Sequence, residues 1–499
     1  MASPLITQLF RRKSVALAAE DAERPGGLAR SLTAIDITML GIGAIIGAGI
    51  FSGLGEAAAG KFEAGQLVRA GAGPALVVSY LITAVACAFS AMCYAELASM
   101  LPIAGSAYTY AYVTLGELLA WIIGWDLLLE YAVGNTVVAI SWSSYFVDFV
   151  ERIGIHLPLR WVHGAFDCFH PQTGKALSCG DAGAIHGIAN LPAFAIVALL
   201  TILLVVGVKE SARFNTVMVA LKLLLIAGFV AAGIFYVKPE HWHPFAPNGF
   251  VGIMNGASLA FFSYIGFDAV STTAEEAKNP QRDLPIGMIA SLAICTVLYV
   301  AVTLVMTGLT SYKNFANVSD PLAVALGDAG LNSLAGIMSF GVVIAMTAVL
   351  LVFQLGQPRI FLSMARDGLL PPFAAKLHPR FHTPHVTTIL TGVFVGGVAL
   401  FADMGEMLQF TNIGTLFAFI LVSAGVIMLR YTEPDRPRPF RCPGMPYVPI
   451  LSILCCLGLM LPLPATTWWR FAIWLAIGAV FYFFYGYKHS RLRRGAAQT

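Results

Sequence analysis

Charge is the scarcest commodity in this chain. Of 499 residues only 11% are charged, against 58% hydrophobic, where a soluble domain carries about 25% charged residues. That deficit excludes an ordinary water-soluble fold and leaves a polytopic membrane protein. Motifs of catalysis are missing as well: there is no H-E-x-x-H, G-x-S-x-G, P-loop or C-x-x-C, so nothing points to an enzyme. A net charge of +3 supplies no electrostatic footprint for nucleic acid. Cysteine is sparse, with eight in the chain. Cys87, Cys93, Cys295, Cys455 and Cys456 fall in apolar runs as small hydrophobes, and Cys442 falls on the expected cytoplasmic side. Only Cys168 and Cys179 share a loop, at 151–189, where an oxidising compartment would permit a disulfide. The opening segment MASPLITQLFRRKS reads as a short amphipathic lead into a basic stretch, without the pattern of a cleavable signal peptide.

What the chain has instead is apolar runs long enough to cross a bilayer. Twelve are legible, at 34–56, 74–99, 108–148, 190–207, 214–237, 251–274, 284–309, 331–356, 385–402, 408–430, 446–463 and 469–487. The third is too long for one crossing and should project beyond the membrane or tilt. With both termini in the cytoplasm, inside segments hold twenty-one of the 30 lysines and arginines, outside segments hold eight, and Lys222 is left over. That bias orients the chain by the positive-inside rule. The expected division is a cytoplasmic arm (1–33), a ten-helix core (34–430), a Pro/Arg-rich cytoplasmic linker (431–445), two further helices (446–487) and a cytoplasmic tail (488–499). The core splits into repeats at about 34–237 and 251–430.

Lys222 stands alone in the fifth run. A lysine this deep costs roughly 2.5–3.5 kcal/mol to insert. It either snorkels to the headgroups or faces a partner, a cavity or an ion route. The second alternative makes it an amine that gains and loses a proton during a transport cycle.

The first run carries G41-IGAIIGAGIFSGLG and the sixth carries F261-FSYIGFDAVSTTAEE. These are corresponding places, the first run of each five-run half. Gly43 and Gly47 alone could be a G-x-x-x-G packing face. Paired with the sixth run, however, the glycines predict broken helices in an inverted repeat with a site between the halves. Free N–H groups around Gly47, Ala48 and Gly49 suit a carboxylate, and free carbonyls around Phe262, Ser263 and Ile265 suit an ammonium. A zwitterionic α-amino acid fits both. Glu96 reads as a loop anchor, and Asp268 as a brace for the sixth-run break. Asp126 and Glu130 share a helical face, with Glu130 a candidate to line the cavity or to neighbour Lys222. His378, His382 and His385 cluster in a loop whose prolines disfavour a metal-ligand face. No metal or other cofactor is expected.

The stretches GIGAIIGAGIF, C93-YAELASMLPIAGSAYTYAYVTLGELLAWIIGWDLLLEYAV, FFSYIGFDAVSTTAEEAKNPQRDLPIG and G356-QPRIFLSMARDGLLPP resemble the amino acid–polyamine–organocation superfamily, and within it the bacterial relatives of animal cationic amino acid transporters. The resemblance covers about residues 28–487. It implies an all-α, twelve-helix protein with a five-plus-five inverted repeat and broken helices 1 and 6, as in the bacterial leucine transporter, plus two C-terminal helices. It implies substrate contacts at Ile45, Ala48, Gly49, Phe262, Ser263 and Ile265, with Glu130 from helix 3. Lys222 matches the lysine that proton-coupled members carry where sodium-coupled relatives bind an ion. Ala48 departs from the small hydroxylated residue often found there. Met346 on helix 8 fills the expected side-chain pocket, which favours a small neutral substrate such as alanine over arginine or lysine. Thr347 could help bind sodium, but an amine at Lys222 would repel it. The implied function is proton-coupled import of amino acids, small neutral (alanine-like) or cationic (arginine or lysine), across a bacterial inner membrane, with exchange or non-transporting sensing as alternatives; an accessory subunit is not legible in the sequence.

Overall fold

The computed structural model describes residues 9–14, 31–63, 66–101, 106–171, 176–177, 183–207, 212–274, 276–381 and 383–496. Among them, nine helices are long and apolar enough to cross a membrane. Three shorter apolar helices, Leu191–Val206, His385–Ala399 and Tyr447–Met460, coincide with the fourth, ninth and eleventh runs. Strands are confined to small hairpins, of which the longest pairs Gly60–Glu63 with Gln66–Ala70 just beyond the first run.

The first run begins with a capping box: Thr33 caps the helix Ala34–Ile45, with its side chain and that of Asp36 bonding each other's backbone, which satisfies N–H groups that the first turn leaves open. The helix stops at Ile46, whose ψ of 99° is extended. The chain resumes as a π-helical turn at Gly49–Gly53 and a short helix at Leu54–Ala59. The sixth run is interrupted in the same fashion. Helix Gly249–Ala260 tightens into a 3₁₀ turn at Phe261–Tyr264, opens at Ile265, and re-forms as a second 3₁₀ turn at Asp268–Thr273. Gly266 lies between them at φ 121°, a conformation that only glycine adopts without strain.

The third run differs from its single-helix expectation. It is divided at Gly116 (φ 103°) into helices Ser106–Thr114 and Glu117–Arg152. The second piece has 36 residues and is therefore about 54 Å long, more than the bilayer core needs. The cause of the division is a tertiary contact. The N-terminal arm lies across the break, so a side chain at Gly116 would collide with the backbone of Phe10, and Glu117 N–H donates to the Arg11 carbonyl at 3.0 Å.

The arm is therefore packed structure at residues 9–14. The Lys13 ammonium forms a buried ion pair with Asp367 at 2.8 Å, at the end of helix Asn332–Arg366, and Arg11 donates to the Leu492 carbonyl in the C-terminal tail. The last two runs also pack closely against the rest. Trp121 and Trp125 of the third run stack with Trp474 and Phe481 of the twelfth, and Ser452 of the eleventh meets Ser90 and Ser423. The linker is pinned by Glu96. Its buried carboxylate accepts from Arg430 at 2.9 and 2.7 Å and from the Cys442 N–H at 2.7 Å, with Arg438 Nε at 3.3 Å.

Cys168 is disulfide-bonded, while the six cysteines outside this loop are free; Cys179 lies outside the described residues. So does His382. His378 and His385 meet edge to face, ring centroids 5.1 Å apart.

Candidate functional site

The two interrupted runs lie against each other at their breaks. Gly49 approaches Ser263 so closely that an added Cβ would overlap its Cα, N and Oγ. At Gly266 an added Cβ would lie 2.8 Å from the Ala44 carbonyl. Small residues at these points let backbone meet backbone. Any side chain there would push the two breaks apart.

Helix termini buried in a membrane protein leave carbonyls that must find donors. Three side chains from other runs provide them. Lys222, on helix Ala212–Gly233, is 2% exposed and donates to Gly43 O at 2.7 Å and Ile46 O at 3.0 Å. Tyr299, on helix Pro280–Leu309, stands 3.0 Å from Ile45 O and 2.8 Å from Ser263 O, so one hydroxyl links the break of the first run to that of the sixth. Tyr145 of the third run donates to Phe51 O at 2.5 Å. The ammonium is buried at the break and bonded to two backbone carbonyls, the partner that the second of the two alternatives for this lysine calls for.

The sixth-run break is braced further. Gly266 N–H donates to Asp268 Oδ1 at 3.2 Å, and the Ser263 hydroxyl pairs with Tyr80 OH at 2.8 Å. Tyr80, Tyr264 and Tyr299 form one aromatic group behind it, with centroids 5.3–6.0 Å apart. Ser52, just after the first break, pairs with Ser141 of the third run.

The residues singled out from the sequence fall into two groups. Ile45, Gly47, Ala48, Gly49, Phe262, Ser263 and Ile265 sit on the two breaks, buried, and Lys222 reaches the first of them. Met346 is fully buried on helix Asn332–Arg366, one turn before Val349, which faces Gly47. Glu130 lies on the sixth-run side, beside the Asp268 that braces that break. Its electrostatic neighbours are Asp268 and Asp126, with Thr415 beside it, whereas Lys222 has backbone carbonyls and Cys295 around it. Thr347, considered for sodium, is tied down: it accepts from the Trp142 indole at 2.9 Å and donates to Val343 O at 2.8 Å.

Tyr299, Tyr80 and Tyr145 were not anticipated. A signal existed, since a tyrosine inside an apolar run must place its hydroxyl on a partner, but nothing in the spacing names that partner.

The amino acid permease family matches residues 32–488. A branched-chain amino acid permease, BcaP, of Bacillus subtilis (strain 168) is 46% identical over 491 residues, covering 97% of this chain and 99% of its own. The methylthioribose transporter of the same organism is 45% identical over 491 residues, 98% of this chain and 100% of its own. The vacuolar cationic amino acid transporter 4 of Arabidopsis thaliana is 38% identical over 446 residues, 86% of this chain and 68% of its own. The chain is thus a membrane-embedded transporter and not an enzyme, and it belongs to the amino acid permease family of the amino acid–polyamine–organocation superfamily.

Proposed function

We propose that this protein imports a small neutral L-amino acid by proton symport, and that Lys222 carries the coupling. The observation that supports this reading most directly is the contact of the Lys222 ammonium with Gly43 O and Ile46 O. A fixed cation that completes the broken first run does what a bound sodium ion would do, and unlike sodium it can release a proton. In the charged form it braces the first run against the fifth. Deprotonation toward the cytoplasm weakens two charge-assisted hydrogen bonds, from about 1.5–3 kcal/mol each to the roughly 0.5–1.5 kcal/mol of neutral ones, and so loosens the first run to rock about the central site.

In this reading the twelve apolar runs are twelve crossings of a bacterial inner membrane, with both termini cytoplasmic, and runs 1–5 and 6–10 are inverted repeats. The substrate carboxylate meets the N–H groups of Gly47, Ala48 and Gly49, and its ammonium meets carbonyls of the sixth-run break. Ser263 O is already held by Tyr299, which leaves the neighbouring Phe262–Ile265 stretch to share that task. Ile45, Ala48, Phe262, Ile265 and Met346 offer a substrate side chain only apolar surface, which suits an aliphatic amino acid and gives arginine or lysine no partner there. The relative named for branched-chain amino acids points the same way.

The test is uptake of labelled L-alanine and L-leucine into sodium-free proteoliposomes, with and without an inward proton gradient. Accumulation that depends on the gradient is expected; accumulation without it, or a requirement for sodium, overturns the proposal. The relative named as a methylthioribose transporter supplies a second reading, in which the cargo is a neutral sugar thioether. Methylthioribose that is accumulated while both amino acids are ignored would select it.

A further inference from the structure

The seventh run carries a second feature on its outer face. Arg282, Pro285, Ile286, Ile289, Ala290 and Ala293 recur at helical spacing on one face of Pro280–Leu309, and they line an open groove of about 630 Å³ whose other wall is Pro439 and Phe440 of the linker. Ile286 and Ile289 are exposed on a membrane-crossing helix, so the groove faces lipid. From Arg282 to Ala293 the stripe is about 16 Å long, close to the depth of one leaflet's hydrocarbon, about 15 Å. Its walls are apolar except at one end, where Gln281 and Arg282 begin the span.

The charges at that end are unbalanced. Arg430 and Arg438 share Glu96, and Arg436 pairs with Glu433. Arg282 and Arg441 are exposed, and neither meets a carboxylate among the described residues. The backbone on either side of Arg441 is anchored, Phe440 N–H to Ser99 Oγ at 3.3 Å and Cys442 N–H to Glu96 Oε2 at 2.7 Å. Arg282 lines the mouth of this apolar groove of leaflet depth and Arg441 follows Phe440 of its wall in the chain; guanidiniums without acidic partners there complement a molecule with a phosphate and a long chain.

We propose that this groove binds one anionic glycerophospholipid, with its phosphate at Arg282 and Arg441 and one acyl chain along Pro285, Ile286, Ile289 and Ala293 against Phe440. The lysine and arginine bias puts the site in the cytoplasmic leaflet. The seventh run is packed on the first, with Gly287 against Ile37 and Gly41 against Ser291. Bound lipid would therefore brace the linker against a helix that contacts the moving part.

The test is native mass spectrometry of the purified full-length protein titrated with phosphatidylglycerol, phosphatidylcholine of the same chains, or inorganic phosphate. It requires no transport, so its failure and failure of the symport proposal are separable. The expected result is a single preferred phosphatidylglycerol. Arg282→Ala and Arg441→Ala should each weaken it about five-fold, the contribution of one basic residue near a membrane surface, and leave phosphatidylcholine unaffected. Ala293→Trp, which fills the channel at an exposed position, should displace the lipid while both arginines remain. Equal retention of the two lipids, an unchanged preference in both arginine variants, full retention in Ala293→Trp, or competition by inorganic phosphate as strong as by lipid would each overturn the site.

Discussion

Replacing Lys222 separates its electrostatic role from its proton-carrying role. With Lys222→Met the ammonium is lost and Gly43 O and Ile46 O are left buried without their donor, at about 1–3 kcal/mol each. Both the brace and the proton carrier then disappear. Lys222→Arg keeps a cation and its donors but cannot release a proton in a protein. An inward gradient of one pH unit is about 1.4 kcal/mol and sustains a ten-fold substrate ratio for one proton carried. In proteoliposomes the parent protein should approach that ratio. Both variants should fall to a ratio of one, and Lys222→Arg should still bind substrate, because its cation still completes the first-run break. Ten-fold accumulation in Lys222→Arg would refute the argument that this residue carries the proton. Substrate binding by Lys222→Met as tight as by the parent would refute the argument that the amine organises the break.

Three further predictions rest on other contacts. Tyr299→Phe removes the hydroxyl at Ile45 O and Ser263 O; substrate affinity measured by calorimetry should fall about ten-fold, with the helical circular dichroism unchanged, and unaltered affinity would show that the link is dispensable. Glu96→Ala strips Arg430, Arg438 and the Cys442 N–H of their acceptor, and removing one partner of a buried pair costs about 3–5 kcal/mol, so the thermal midpoint in detergent should drop by several degrees; no drop would mean that the linker is held elsewhere. Burial pushes the Asp167 carboxyl in the 151–189 loop up to about 7, with Asp403 adding to the effect. The folded state therefore keeps a proton that the unfolded chain has lost, so this residue stabilises the fold at pH below about 4 and that contribution is lost as pH rises through about 7. Thermal midpoints measured across that window should decline less in Asp167→Asn, and parallel profiles would exclude the effect.

Hydropathy, glycine placement and one isolated lysine carried much of the function at the level of sequence. The apolar runs are imposed by the bilayer, which demands about 20 apolar residues per helix, so their positions survive in one dimension. Gly49 and Gly266 were legible for the same kind of reason: a backbone that must break or approach another backbone tolerates nothing larger, and that intolerance is a local property. Lys222 stood out because a charge in an apolar run is expensive wherever its partner lies. Its acceptors, Gly43 and Ile46, lie 179 and 176 residues away, and no pattern in the chain relates them. The same holds for Tyr299, whose hydroxyl joins two breaks from the seventh run, for Glu130, which packs beside Asp268 and Asp126, and for the arm that divides the third run at Gly116. Local backbone demands and solvent preference are written residue by residue. Which donor reaches which carbonyl is decided only when the helices pack, because a hydrogen bond depends on a distance of about 3 Å that sequence separation does not encode.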